Sequence, residues 1–76
     1  MNEKIISILQ ELRPEFDFTN DVNFIEQGML DSFDVVSLVD EMENNFDIVI
    51  DGTDILPENF CSIENISALI NKSKKK

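Results

Sequence analysis

Gly28-Met29-Leu30-Asp31-Ser32-Phe33-Asp34-Val35-Val36-Ser37-Leu38-Val39-Asp40-Glu41-Met42 passes from a chain breaker straight into an amphipathic helical pattern. Val35, Leu38, Val39, Met42 and Phe46 recur at helical spacing, which predicts a helix over about 32–45 with these side chains inward. Asp34, Ser37, Asp40, Glu41, Glu43 and Asn44 fall mainly away from that stripe. Asp31 and Asp34 have the spacing of a capping pair, and Asn44-Asn45 fits a C-terminal cap region. Ser32 then lies in the first turn with its hydroxyl toward solvent. Unpaired N–H groups and the positive end of the helix dipole favour an anion there. A serine at a helix start is often only a cap. Here Asp31 can do the capping, which leaves the Ser32 hydroxyl free for other chemistry.

Working outward, Ile5, Ile8, Leu9 and Leu12 recur on one face and predict a first helix over about 3–13, ended by Pro14. Residues 15–31 read as a long loop, pinned by Phe16, Phe18, Val22, Phe24, Ile25 and Leu30, with one short turn around 21–26. Gly28 permits a backbone that a side chain resists. Ile48-Val49-Ile50 is locally strand-like, but with no partner in sight it reads as an extended linker. Asp51-Gly52-Thr53-Asp54 is a turn, and Pro57 opens a brief helix through Phe60. Ser62 caps a last helix with Ile63, Ile66, Leu69 and Ile70 inward. The expectation is an all-α bundle of three main helices plus one short helix, with a long loop between the first and second. A single domain spans 1–71, followed by a lysine-rich tail at 72–76 that reads as frayed.

The 76 residues include sixteen acidic and six basic side chains, and four of the six are Lys72, Lys74, Lys75 and Lys76. With only Lys4 and Arg13 against sixteen carboxylates, residues 1–71 carry a net charge of −14. Such a field disfavours nucleic acid and anionic membrane and attracts basic protein surfaces. The self-repulsion acts on a small core, so the melting temperature is expected to rise between low and moderate salt. A melting point indifferent to salt would show that the repulsion is unimportant.

With no histidine, a Ser-His-Asp triad and an imidazole zinc site are excluded. Asp47, Asp51, Gly52 and Glu58 match part of an EF-hand loop, but Val49 at the third position offers no side-chain oxygen, so no metal site is expected. Cys61, the one cysteine, reads as a small buried hydrophobe. The six phenylalanines lack interleaved basic residues and belong to the core rather than to base stacking. No run is long enough to span a bilayer and the N-terminus is unlike a signal peptide, so a cytoplasmic location is expected.

The run around Ser32 resembles the attachment motif of acyl carrier proteins, the Asp-Ser-Leu type, with Phe33 in the leucine place. Val36, Leu38, Val39, Met42, Glu43 and Phe46 fall where carriers have similar residues. Phe60-Cys61-Ser62-Ile63-Glu64-Asn65-Ile66 resembles the family's short third helix running into the fourth. The likeness spans about Ile5 to Ile70. It implies a non-enzymatic carrier whose Ser32, preceded by the motif residue Asp31, is esterified with 4′-phosphopantetheine from coenzyme A by a phosphopantetheinyl transferase. The arm would hold acyl or aminoacyl groups as thioesters.

The resemblance also implies that basic patches of partner enzymes and loading ligases dock on the second helix. Asp31, Asp34, Asp40, Glu41 and Glu43 are the candidates. Ser37 stands where many fatty-acid carriers have glutamate, and Asp40 where an apolar contact is frequent. The cargo stays open between a fatty-acid or polyketide chain, lining up with Met42 and the valines of the second helix, and an aminoacyl group loaded by an adenylating ligase. Gly28 to Phe33 and Leu56-Pro57-Glu58-Asn59-Phe60 look somewhat like D-alanyl-type carriers. A reading from another class is an unmodified acidic helical module that binds a basic protein. A monomer is expected in each case.

Overall fold

The computed structural model describes residues 2–19 and 22–75. Among these, three α-helices run over α1 (Asn2–Leu12), α2 (Ser32–Phe46) and α3 (Ile63–Lys72). The apolar stripes close on one another as their spacing predicts. Ile5, Ile8 and Leu9 of α1 meet Leu38 and Met42 of α2 and Ile66, Leu69 and Ile70 of α3 in one core. Phe18, Phe24 and Phe60 fill the space between helices and are all fully buried. The all-α bundle is therefore the observed architecture.

The long connection to α2 is held from within. Phe18 and Phe24 meet edge to face at 5.1 Å. The Phe24 N–H donates to the Cys61 carbonyl at 2.8 Å, tying the loop to the approach to α3. A short turn follows: the Asn23 side chain accepts from the Ile25 and Glu26 N–H groups, and the Gln27 N–H donates to the Asn23 carbonyl. The expected turn began at Asp21, which lies outside the described residues. Gly28 leaves the turn at φ +72, the left-handed region in which a side chain would be strained. The Phe24 carbonyl then accepts from Met29 and Leu30, which delivers the chain to Asp31. Of the expected anchors, Phe18, Phe24 and Leu30 are buried and Phe16 and Ile25 pack against the core, whereas Val22 is exposed.

The end of α2 departs from expectation. Asn44 and Asn45 lie inside the helix, and Asp47 takes the left-handed C-cap position at φ 56, ψ 51. Its N–H donates to the Glu43 carbonyl. Glycine has no Cβ penalty in that region, so Asp47→Gly is expected to stabilise the fold by roughly 0.5–1 kcal/mol in urea unfolding. An unchanged or lowered midpoint would show that the aspartate contributes something beyond its backbone.

Ile48-Val49 is not an unpartnered linker. It forms β1 (Ile48–Val49), paired antiparallel with β2 (Lys74–Lys75), in register Ile48 with Lys75 and Val49 with Lys74. Lys74 and Lys75, expected to be frayed, are thus held in a ladder, and Lys76 lies outside the described residues. Ser73 ends α3 in extended conformation, its hydroxyl donating to the Leu69 carbonyl at 2.7 Å. Lys72 Nζ meets Asp54 Oδ1 at 3.1 Å. The pairing eluded sequence reading because lysine is a weak strand former and the partner segments lie on either side of α3.

The short fourth helix is a single 3₁₀ turn, Pro57–Asn59, and a second such turn spans Gly52–Asp54. Asp51 caps the latter by accepting from the Thr53 N–H and hydroxyl. Among the described residues no three carboxylates or thiols gather where one metal ion could be held, and no helix is long and apolar enough to cross a membrane.

Candidate functional site at the start of the second helix

Asp31 is the N-cap of α2 in extended conformation, and Ser32 is the first helical residue. The Asp31 carboxylate accepts from the Asp34 N–H at 2.9 Å, and the Asp34 carboxylate accepts from the Asp31 N–H at 3.1 Å. This is a complete capping box built from two aspartates. It satisfies two of the turn's donors, the Asp31 and Asp34 N–H groups, without using the serine. Ser32 is exposed, and among the described residues no group engages its hydroxyl.

Arg13, just beyond α1, fastens the box. Its Nε donates to Asp34 Oδ2 at 2.9 Å and its Nη2 lies 2.8 Å from the same oxygen. Nη2 also stands 3.5 Å from Asp31 Oδ2, and Nη1 is 3.4 Å from Glu15. Asp34 is only 3% exposed, so this cation offsets a carboxylate withdrawn from water. Hydrogen bonding to Asp34 holds the Arg13 guanidinium above its ordinary pKa.

The Asp34 N–H holds the Asp31 carboxyl below the ordinary carboxylate range, with a smaller contribution from Arg13 against the opposing effect of partial desolvation. Asp17 and Asp51 are lowered in the same way by hydrogen bonds from Thr19 and Thr53. A depressed folded-state pKa stabilises the fold above the unfolded value of about 3.9, and that contribution is lost as pH falls through the folded pKa. Melting temperature is therefore expected to fall steeply only below about pH 4, and less steeply in Asp31→Asn. Identical acid limbs for the two proteins would rule out Asp31 as a contributor.

Beside Ser32 lies an open groove of about 370 Å³, lined by Ile25, Leu30, Val35, Val36, Ile55 and Pro57 together with Asp31 and Ser32. Its walls come from the loop, from α2 and from the segment between the two 3₁₀ turns. Phe33 and Val36 stand out from α2 at 77% and 65% exposure. These two apolar side chains, next to a free alcohol and an apolar groove, form a surface on which another molecule can rest.

The family model for the phosphopantetheine attachment site matches residues 3–70. The chain belongs to that family. It is a carrier protein of the acyl carrier type, a domain to which 4′-phosphopantetheine is covalently attached. Carrier domains of this kind are typically non-catalytic and interact with transferases and biosynthetic enzymes. No curated protein and no solved structure matches the chain.

The carrier's α2 turn fits the prosthetic group on its own geometry: an unengaged alcohol at a helix start, with an apolar groove alongside. The residues marked for docking separate into three environments. Asp40 and Glu41 are exposed on α2. Glu43 is half-buried, and its Oε2 accepts from the Ile50 N–H at 3.0 Å, which anchors the chain leaving β1. Asp34 does not lie on the polar face at all; it is turned inward to Arg13 and the cap.

Sequence reading missed the prominence of Phe33 and Val36 and the grip of Arg13. The available signal for Arg13 was arithmetic: any inward carboxylate of residues 1–71 could find its cation only in Lys4, Arg13 or the lysines after residue 71. Cys61 is not buried. It is half-exposed, donates weakly to the Glu58 carbonyl at 3.2 Å and accepts from Asn65 Nδ2 at 3.0 Å.

Proposed function

We propose that Ser32 is the residue that bears the phosphopantetheine arm, and that the protein shuttles acyl or aminoacyl groups between enzymes on it. The observation that carries this reading is the free Ser32 hydroxyl in the first turn of α2, capped by its neighbours rather than by itself. When attached, the arm supplies a terminal thiol on which cargo is held as a thioester. The chain's own residues do the rest. The helix start favours the phosphodiester charge, and Asp31 fixes the backbone of the turn. Tethering spares each enzyme the capture of a dilute substrate.

Asp40, one helical turn beyond the exposed Val36, suits partners with a basic rim around an apolar pocket, while Glu41 is exposed on the side of α2 next to α1, beside Ile8, Glu11 and Leu12. A phosphopantetheinyl transferase and a loading ligase are the partners this reading requires.

The cargo we favour is small, acyl or aminoacyl, loaded by an adenylating ligase as on D-alanyl-type carriers. In support, the groove next to Ser32 is an open surface feature lined by Val35 and Val36, while Met42 lies fully buried in the packed core. A long fatty-acid or polyketide chain would call for space around Met42. A cytoplasmic, monomeric protein accords with this role.

The test is intact mass. Purified apo protein, incubated with a broad-specificity transferase, magnesium and coenzyme A, is expected to gain one phosphopantetheine, located by peptide mapping on Ser32. A folded chain that never gains it would leave an acidic interaction module in place of a carrier.

A further inference from the structure

The capping box that leaves Ser32 free also creates a charge problem. Asp31 and Asp34 accept hydrogen bonds from each other's N–H group on either side of the serine. On the assignment of the arm to Ser32, on which this inference rests, a phosphodiester would place a third anion in the same turn. The helix dipole supplies only a partial charge, and two of the turn's donors already serve the aspartates. The surrounding chain is strongly acidic, and among the described residues the cation that reaches this turn is Arg13.

We propose that Arg13 is a positioning residue for the modification: it balances Asp31 and Asp34 so that the first turn of α2 can hold the charged arm without loosening. Three observations converge on it. Arg13 touches both carboxylates of the box, at 2.8 and 3.5 Å. It comes from a different element, so it also fixes the turn against the end of α1. And its side chain is about one-third exposed, open enough for its charge to act on a group attached at the neighbouring surface.

If Arg13 served only to hold the fold, its loss would weaken the unmodified and the modified protein equally. Balancing the arm predicts unequal losses. Removing Arg13 alone strands the inward Asp34 carboxylate, so the comparison is also made where that charge is absent. Asp34→Asn keeps a side-chain oxygen for the Asp31 N–H, and Arg13→Gln is then introduced into both the wild-type and the Asp34→Asn protein. The four proteins are melted before and after loading with phosphopantetheine, at low salt and at about 0.5 M sodium chloride, where charge interactions beyond a few ångströms are screened.

Attachment is expected to lower the melting temperature several degrees more in Arg13→Gln/Asp34→Asn than in Asp34→Asn, with the excess vanishing at high salt. Where the Arg13→Gln single variant folds, it shows the same excess over wild type. Equal shifts with and without Arg13 in the Asp34→Asn background overturn this inference and leave the carrier assignment intact. A wild-type protein that accepts no arm at Ser32 overturns both.

Discussion

Phe24→Ala is expected to lower the unfolding free energy by about 3–5 kcal/mol, the range for emptying a buried aromatic site. Phe24 is 1% exposed and packs edge to face on Phe18. Its backbone joins the loop to Cys61 and, through Met29 and Leu30, sets up the approach to Asp31. Small domains hold only about 5–15 kcal/mol in total, and one of 76 residues sits toward the low end. The variant should therefore be substantially unfolded at body temperature. In urea the midpoint should fall with the slope unchanged. Phe33→Ala provides the contrast, because Phe33 is 77% exposed and its removal should change stability by less than about 0.5 kcal/mol. If Phe24→Ala unfolded at the wild-type midpoint, the loop would have to be anchored elsewhere.

Ser32→Ala is expected to abolish attachment completely while leaving stability within about 0.5 kcal/mol of wild type. The separation follows from the division of labour in the turn. Asp31 accepts the Asp34 N–H, so the cap survives loss of the serine. Three other serines are poorly placed to substitute. Ser62 Oγ accepts from the Asn65 N–H as the cap of α3, and the Ser73 hydroxyl donates to the Leu69 carbonyl. Ser37 is half-buried within α2. A mass gain that persisted in Ser32→Ala would move the arm to another residue and end the assignment made here.

Helices and core were legible because their signal is local and repeated. Ile5, Ile8 and Leu9, or Ile66, Leu69 and Ile70, announce a buried face within a few residues of one another. Ser62 as a cap and Asp31–Asp34 as a capping pair were legible for the same reason, since each motif closes within one turn. The β1–β2 ladder was not, because pairing across an intervening helix leaves no mark at fixed spacing. The inward turn of Asp34 was hidden too. Its helical position lies beside the stripe, and only a guanidinium arriving from α1 makes burial tolerable. Asp47 in the left-handed region was missed in favour of Asn44 and Asn45, since nothing in the letters separates these three polar residues as candidates at the helix end.

The short ladder has a consequence for how the molecule is made. Ile48 and Val49 have no strand neighbour until Lys74 and Lys75 exist, and Asp54 waits for Lys72. In a chain synthesised from its N-terminus, the serine turn leaves the ribosome well before the residues that pair with Ile48, Val49 and Asp54. The nascent protein thus presents Ser32 and its capping box before the ladder and the Lys72–Asp54 ion pair can form.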